Sequence, residues 1–210
     1  MADSLAPDRV RPLLAGRFGR VYHYAELSPS TQRMFDEADV EGTVAVAEEQ
    51  SHGRGRLGRS WHAPPRTSVL VSVLLRPAVE PARLPELSLV AGGAVAEAIA
   101  AVTGIEPAVK FPNDVLVKGK KVAGILAESG NGRVVLGIGV NANQSADQLP
   151  AGVQREPTSL HVELGEPVDR AELLAAILAR LEDAYDRWVR GASDGIQPPD
   201  DSPTGTGASG

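Results

Sequence analysis

The sequence predicts an α+β fold in which consecutive strands form most of a β-sheet and the helices lie outside it. Four short apolar runs follow one another between residues 108 and 140, separated by Pro, Gly and Lys turns. Two longer stretches, 85–102 and 169–188, place apolar residues at helical spacing. Strands that follow strands, with helices elsewhere, favour this class over a doubly wound sheet.

The length of 210 residues and the hydrophobic content of 42% are sufficient for one buried core. We divide the chain into an N-terminal arm (1–20), one folded domain (21–190) and a disordered tail (191–210) rich in Gly, Ser, Pro, Asp and Thr. The chain has no cysteine, which excludes disulfides, thiolate metal sites and cysteine nucleophiles.

The net charge is negative, but part of the positive charge is clustered. A formal charge of −6 and a pI near 5.3 argue against general nucleic-acid binding. Every lysine lies in one segment, at Lys110, Lys118, Lys120 and Lys121, which indicates that a compact ammonium charge is needed there. Lys118 and Lys120 fit a solvated hairpin tip. The start of the chain lacks a leader sequence and the longest apolar run has strand length, so we expect a cytoplasmic protein without a membrane partner.

In the first half of the chain, the pattern predicts three strands and one helix. Residues 21–25 form a strand, and the hydroxyls and proline at 28–31 start a helix that continues to residue 38. The apolar run 44–47 is a second strand. The β-rich run 66–76 is a central strand that a proline ends.

In the second half, a helix over 85–102 is closed by Gly104. Four strands follow, at 108–111, 115–117, 122–127 and 134–140. The last helix begins at Asp169, because Glu172 three residues later completes the pattern of a capping box.

A loop of alternating glycine and arginine follows the strand at 44–47. Its arginines are Arg54, Arg56 and Arg59, and the glycines between them let the backbone approach a ligand closely. Arginine binds phosphate and carboxylate bidentately and keeps its charge, so the loop suits an anion such as a phosphate ester or anhydride. Taken alone, the run fits a mobile, solvated basic loop better than a ligand site.

Two later segments give the loop a context. They are Lys-Phe-Pro-Asn-Asp-Val at 110–115 and Lys-Lys-Val-Ala-Gly-Ile-Leu-Ala-Glu at 120–128. Together with the arginine loop, they resemble the signature segments of the biotin protein ligases, in the same order and at similar spacing, from about Tyr24 to Trp188. The resemblance implies a mixed sheet flanked by helices, the class II synthetase-like biotin/lipoate ligase catalytic domain.

The resemblance also implies a two-step reaction. Biotin reacts with ATP to give biotinyl-5'-AMP and pyrophosphate, and the biotinyl group then passes to a lysine of the biotin carboxyl carrier domain of a biotin-dependent carboxylase. Mg²⁺ accompanies the nucleotide. Fixed cations near the α-phosphorus would supply most of the catalysis, and the positions implied are Lys121, Arg56 and Lys110.

The site residues carried over from the resemblance fall into three sets. The biotin site comprises Ser30, Thr31, Gln32, Gln50, Arg54, Gly55, Arg56 and Lys121. The nucleotide site comprises Arg59, Trp61, Asn113, Asp114 and Asn141, and Asp114 is the candidate metal ligand. Gln32 replaces the asparagine of the family and Phe111 a tryptophan. Trp61 equally fits a core aromatic, Asn113 and Asp114 a plain turn, and Asn141 a strand end.

The ends of the chain differ from the family pattern. We expect no DNA binding, because residues 1–20 are too short for the winged helix that precedes some biotin ligases. We also expect no SH3-like barrel after the last helix, which would weaken ATP or acceptor binding. The oligomeric state is predicted as monomer or homodimer. Two alternatives stay open: a lipoate or octanoate transferase of related fold, and a non-catalytic protein that binds biotin or its adenylate.

Overall fold

The structure is a computed structural model that describes residues 3–191. Its centre is a seven-stranded sheet in the order β1-β2-β3-β7-β6-β5-β4, in which β1 and β2 are parallel and the other neighbours antiparallel. The α+β class with a mixed sheet is therefore confirmed. The strands are β1 (Tyr22–Ser28), β2 (Val44–Gln50), β3 (Ser68–Leu75), β4 (Ala108–Lys110), β5 (Asp114–Val117), β6 (Lys120–Gly130) and β7 (Arg133–Asn141).

The helices are α1 (Pro7–Val10), α2 (Leu87–Thr103), α3 (Leu160–Leu164) and α4 (Arg170–Val189). Helix α2 ends, and helix α4 begins, where the sequence predicts. Helix α2 ends at Gly104, whose φ of 72° is the left-handed conformation that glycine adopts without a Cβ clash. Helix α4 begins after Asp169, whose carboxylate accepts hydrogen bonds from the backbone N–H groups of Ala171 and Glu172.

The two faces of the sheet have different coverings. Along β7 the side chains alternate, so Leu136 and Ile138 are buried in the core while Gly137 and Gly139 lie on the opposite face. Helices α2 and α4 pack together and cover the core face. There, Gly92 of α2 lies against Val109 and Ile125. The opposite face is covered by loops and not by helices, and a cavity remains between these loops and the sheet.

One helical stretch, Pro81–Thr103, is long and apolar enough to cross a membrane by length and composition, with a mean hydropathy of 1.5. It includes α2, and the buried residues of α2 belong to the hydrophobic core. A core helix of a globular domain meets the same criterion, so the stretch is explained by its packing against the sheet.

The helix predicted over residues 28–38 is wrong. Strand β1 continues to Ser28, and only a 3₁₀ turn, Thr31–Arg33, follows. The reason lies in the side chains: Thr31 bonds to Gln50 and Ser72, and the amide of Gln32 donates to a backbone carbonyl of the sheet. Such bonds compete with the backbone pattern of a helix and hold the segment flat against the sheet.

The segment 3–20 is packed, unlike the loose arm that we predicted. Leu5, Val10 and Phe18 are buried in the core. Arg170 at the start of α4 is fully buried and donates to the carboxylate of Glu48 at 2.8 Å, and Glu48 also accepts from the backbone N–H of Leu5 at 2.7 Å. This network fastens the N-terminal segment to the end of β2. Of the predicted tail, residues 192–210 lie outside the described residues.

Candidate functional site

The arginine loop forms a short hairpin that starts directly after β2. The backbone N–H of Trp61 donates to the carbonyl of Gly53, and that of Gly55 donates to the carbonyl of Arg59. A Cβ at Gly53 would lie 2.3 Å from the carbonyl oxygen of Trp61, so this close approach requires glycine. Arg54 pairs with Glu128 of β6 at 2.7 Å, which attaches the loop to the sheet on the face opposite the core.

A first cavity of about 50 Å³ lies between this loop and the sheet. All eight residues predicted to bind biotin line it: Ser30, Thr31, Gln32, Gln50, Arg54, Gly55, Arg56 and Lys121. They come from the 3₁₀ turn, the end of β2, the arginine loop and β6. The structure therefore brings together residues that are far apart in sequence.

Fixed amide and hydroxyl groups form one wall of the first cavity. The side-chain carbonyl of Gln50 accepts from the backbone N–H of Thr31 at 2.7 Å, and the Thr31 and Ser72 hydroxyls lie 2.8 Å apart. The amide of Gln32 donates to the carbonyl of Leu126 at 3.2 Å. These bonds hold polar groups in place beside apolar lining residues such as Leu70, Val71 and Ile125, which suits a small molecule with both apolar and polar parts.

Trp61 lies between the first cavity and a larger one, and it lines both. Its ring lies in a trench left by Gly124 and Gly139, where a Cβ on Gly139 would come within 2.6 Å of the ring. The ammonium group of Lys121 lies 5.7 Å from the ring centroid. The indole N–H of Trp61 is buried and has no hydrogen-bond partner. Trp61 thus lines both cavities, beside the predicted catalytic cation.

The second cavity has a volume of about 650 Å³. Four cations line it, namely Arg56, Arg59, Lys121 and Arg155, and the only carboxylate among its described lining residues is Asp114. The five predicted nucleotide residues, Arg59, Trp61, Asn113, Asp114 and Asn141, also line it. The excess of positive charge makes this cavity suitable for an anion.

Asp114 lies between two cations. Its carboxylate is 2.6 Å from the ammonium of Lys121 and 3.4 Å from the guanidinium of Arg155. Both cations would repel a metal ion at this carboxylate. Within residues 3–191, no group of three or more His, Cys, Asp or Glu side chains is arranged to hold a metal ion. The protein groups at Asp114 therefore do not fit a Mg²⁺ site of their own.

Three other predicted residues have distinct placements. Asn113 lines both cavities, and its side-chain amide donates to the carbonyl of Ile125 at 3.0 Å. The amide of Asn141 is buried and bonded to the carbonyl of Thr158 and to Gln144, so it supports the wall. Lys110 is exposed on the edge strand β4 and lines neither cavity. The last placement departs from the prediction of a catalytic lysine.

Sequence reasoning missed one part of the site, the segment 154–158. Gln154 accepts a hydrogen bond from Arg59 at 2.6 Å, Arg155 lines the second cavity, and the backbone around Pro157 pairs with Lys121. The segment has no hydrophobic period and carries no motif that we recognised. Its position depends on contacts with residues more than thirty positions earlier in the chain, which local patterns do not reveal.

The fold and the two adjoining cavities are suited to a small molecule that lies beside an anionic ligand. The sequence matches the Biotin/lipoate A/B protein ligase family over residues 24–145, more than half of the chain, and the chain belongs to this family. It is 39% identical over 171 residues to the bifunctional ligase/repressor BirA of Bacillus spizizenii, covering 77% of this chain and 53% of that protein. It is 41% identical over 156 residues to the biotin–[acetyl-CoA-carboxylase] ligase of Mycobacterium tuberculosis, covering 72% and 57%. The chain thus spans little more than half the length of these relatives.

Solved structures agree with the family. The biotin protein ligase from Aquifex aeolicus in complex with biotin and ATP superposes with a TM-score of 0.74 at 34% identity, covering 81% of this chain and 72% of that one. The biotin protein ligase from Leishmania major in complex with biotinyl-5-AMP superposes with a TM-score of 0.67 at 25% identity, covering 91% and 87%. The fold prediction of a biotin/lipoate ligase catalytic domain is confirmed.

Proposed function

We propose that the chain activates biotin with ATP as biotinyl-5'-AMP and transfers the biotinyl group to a lysine of a biotin carboxyl carrier domain. One observation carries the proposal: the small cavity and the large cation-lined cavity meet at Arg56, Trp61 and Lys121, which line both. A carboxylate held in the first cavity and a phosphate held in the second would meet at this junction. Family membership supports the same chemistry.

In the first step, a carboxylate oxygen of biotin attacks the α-phosphorus of ATP. The bond from that phosphorus to the bridging oxygen breaks, and pyrophosphate leaves with the electron pair. Two anions must approach each other, so the reaction needs fixed positive charge at the junction. Lys121 and Arg56 provide it from two different elements, and Lys121 is held in position by Asp114 at 2.6 Å.

In the second step, the amine of the acceptor lysine attacks the acyl carbon of the adenylate. The bond from this carbon to the bridging oxygen breaks, AMP leaves with the electron pair, and the attacking nitrogen gives up a proton to solvent as the amide forms. The same cations stabilise the charge that AMP carries away. The mouth of the large cavity is where the acceptor would enter, because that cavity opens beside the exposed side chains of Phe111 and Val153.

In this reaction Mg²⁺ would accompany the ATP phosphates. Mg²⁺ usually keeps several waters and shares oxygens with a bound nucleotide. The carboxylate of Asp114 is already paired with two cations. No step above therefore depends on a protein-bound metal ion.

The arginine loop and the junction favour the ligase over the alternatives. A lipoate or octanoate transferase would bind lipoate in preference to biotin, and it has no need of a cavity lined by four cations. A non-catalytic binding protein would hold biotin without consuming ATP. The acceptor carboxylase, the absence of a DNA or membrane partner, the cytoplasmic location and the monomeric or dimeric state stay predictions.

The test is to incubate the purified chain with Mg-ATP and either biotin or lipoate, and to measure the adenylate by mass spectrometry. A biotin carrier domain is then added and its mass is recorded. We expect biotinyl-5'-AMP, little lipoyl-AMP, and a carrier heavier by one biotinyl group. Lipoyl transfer alone would support the transferase, and biotin binding without any adenylate would support the non-catalytic protein.

A further inference from the structure

The segment 154–158 is attached to two of the motifs that form the site. The backbone N–H of Lys121 donates to the carbonyl of Glu156 at 2.8 Å, and that of Thr158 donates to the carbonyl of Lys121 at 2.8 Å. At its other end, Gln154 accepts from the guanidinium of Arg59 at 2.6 Å. Backbone bonds therefore fix this segment beside β6, and a side-chain bond joins it to the arginine loop.

Arg155 projects from this fixed segment into the second cavity. Its guanidinium lies 3.4 Å from Asp114, and its side chain is 38% exposed. Among residues 3–191, Asp114 is its one ion-pair partner, and its side chain forms no hydrogen bond with the protein. A guanidinium has five N–H donors in a planar fork, so most of the donor capacity of Arg155 remains available to a ligand.

The carboxylate of Asp114 contacts the same cations that an anionic ligand in the second cavity would contact. Lys121 and Arg155 approach its carboxylate from two sides, and both cations also line the second cavity with Arg56 and Arg59. Four cations against one carboxylate leave an excess of positive charge. A chain of linked phosphates carries several negative charges and many acceptor oxygens, and arginine binds such oxygens bidentately.

We propose that Arg155 binds the polyphosphate of the nucleotide, exchanging its contact with Asp114 for the phosphate oxygens. The inference rests on the proposed function and extends it to a residue outside the three recognised motifs. Lys120 provides the comparison. It lies next to Lys121 and carries the same charge, but it pairs with Glu156 at 2.6 Å and lines neither cavity.

The experiment compares Arg155→Ala, Arg155→Lys and Lys120→Ala with the unmodified chain. Isothermal titration calorimetry measures the binding of ATP, inorganic tripolyphosphate and, separately, biotin. Loss of a charge-assisted bond should weaken ATP and tripolyphosphate binding by roughly 10- to 100-fold in Arg155→Ala. Arg155→Lys should recover part of the affinity because it keeps the charge. Lys120→Ala should bind all three ligands as the unmodified chain does, and biotin affinity should stay the same in every variant.

Several results would overturn the assignment. Equal weakening in Arg155→Ala and Lys120→Ala would mean that only the general surface charge matters. A loss of biotin affinity as large as the loss of ATP affinity would mean that the variant disturbs the whole site. If Arg155→Ala binds ATP normally and the unmodified chain still makes adenylate, the assignment of Arg155 fails and the proposed function stands. If the unmodified chain binds biotin but neither phosphate ligand, both fail.

Discussion

On the core face of the sheet, Leu136 and Ile138 of β7 are buried against the rest of the hydrophobic core, while on the opposite face Gly137 and Gly139 of the same strand leave space for Gln32 and Trp61. The core face is filled by apolar side chains. The opposite face is lined by glycines, bonded amides and paired charges. One strand therefore provides both stability and a site, because successive residues point to opposite sides.

The two tryptophans show the same difference. Trp188 in α4 is buried on the core side, and its indole N–H donates to Glu86 at 2.7 Å. The indole N–H of Trp61 on the opposite face is buried without an acceptor. Leaving such a group unpaired costs about 1–3 kcal/mol. Of the two tryptophans, the one packed in the core has its indole N–H bonded, whereas the one beside the cavities keeps its indole N–H unpaired where a ligand is expected.

The largest expected effect tests the core face. Leu136 is fully buried, so Leu136→Ala should lower the free energy of unfolding by about 2–5 kcal/mol through lost burial and a residual cavity. Urea denaturation measures this loss. The neighbouring Val135 is only half-buried and points to the opposite face, so Val135→Ala should cost clearly less. Equal losses would contradict the division between the faces.

Lys121→Ala tests the opposite face. Removal of one fixed donor at the junction should raise the barrier to adenylate formation by about 3–4 kcal/mol, a rate loss of several hundredfold. Single-turnover formation of biotinyl-5'-AMP gives the rate. Lys118 is 74% exposed and pairs with Glu163, so Lys118→Ala should leave the rate unchanged. The same loss in both variants would refute the role assigned to Lys121.

Two glycine-to-alanine substitutions compare a crowded position beside Trp61 with an open position on helix α2. In Gly139→Ala the new Cβ would overlap the ring of Trp61, so biotin binding should weaken by about 1–3 kcal/mol. In Gly93→Ala on α2, the new Cβ meets nothing within 4 Å, and the helix should gain up to about 1 kcal/mol. Calorimetry with biotin and urea denaturation measure the two quantities. Unchanged biotin binding in Gly139→Ala would argue against the trench as part of the site.

The smallest effect concerns an ion pair at the edge of the core face. A hydrogen bond from Arg17 lowers the pKa of Asp186, against the opposing effect of partial burial. A lowered carboxyl pKa stabilises the fold at pH values above the ordinary value of 3.8, and this contribution is lost as the pH falls through the depressed folded value. The side chains are about one third exposed, so Asp186→Asn should cost less than about 1 kcal/mol at pH 7.

Urea denaturation of the unmodified chain and of Asp186→Asn between pH 7 and pH 3 tests whether the lowered pKa of Asp186 stabilises the fold. The difference in stability between the unmodified chain and Asp186→Asn should shrink as the pH falls. Adenylate formation at pH 7 should be unaffected, because neither Arg17 nor Asp186 lines a cavity. A difference that grows towards low pH would contradict the assignment of the pKa shift.

The sequence predicted the core face well and the opposite face unevenly. The strands and the two long helices follow from apolar spacing and from the caps at Gly104 and Asp169, which are local signals. The helix at 28–38 was wrong because Thr31 and Gln32 bond to distant strands. Arg155 was missed because only the folded chain brings it to Asp114. The spacing of apolar residues that predicts a buried strand or helix can be read within a short stretch of sequence. The geometry of a site depends on contacts between distant segments.

The most direct test of the account is biotin-dependent exchange of labelled pyrophosphate into ATP. This exchange requires a carboxylate and the nucleotide to occupy the two cavities together and to react reversibly at their junction. We predict exchange that depends strictly on added biotin, is retained in Lys118→Ala and is reduced several hundredfold in Lys121→Ala. Exchange without biotin, or no exchange in a chain that binds both biotin and ATP, would contradict the claim that the two cavities form one active site.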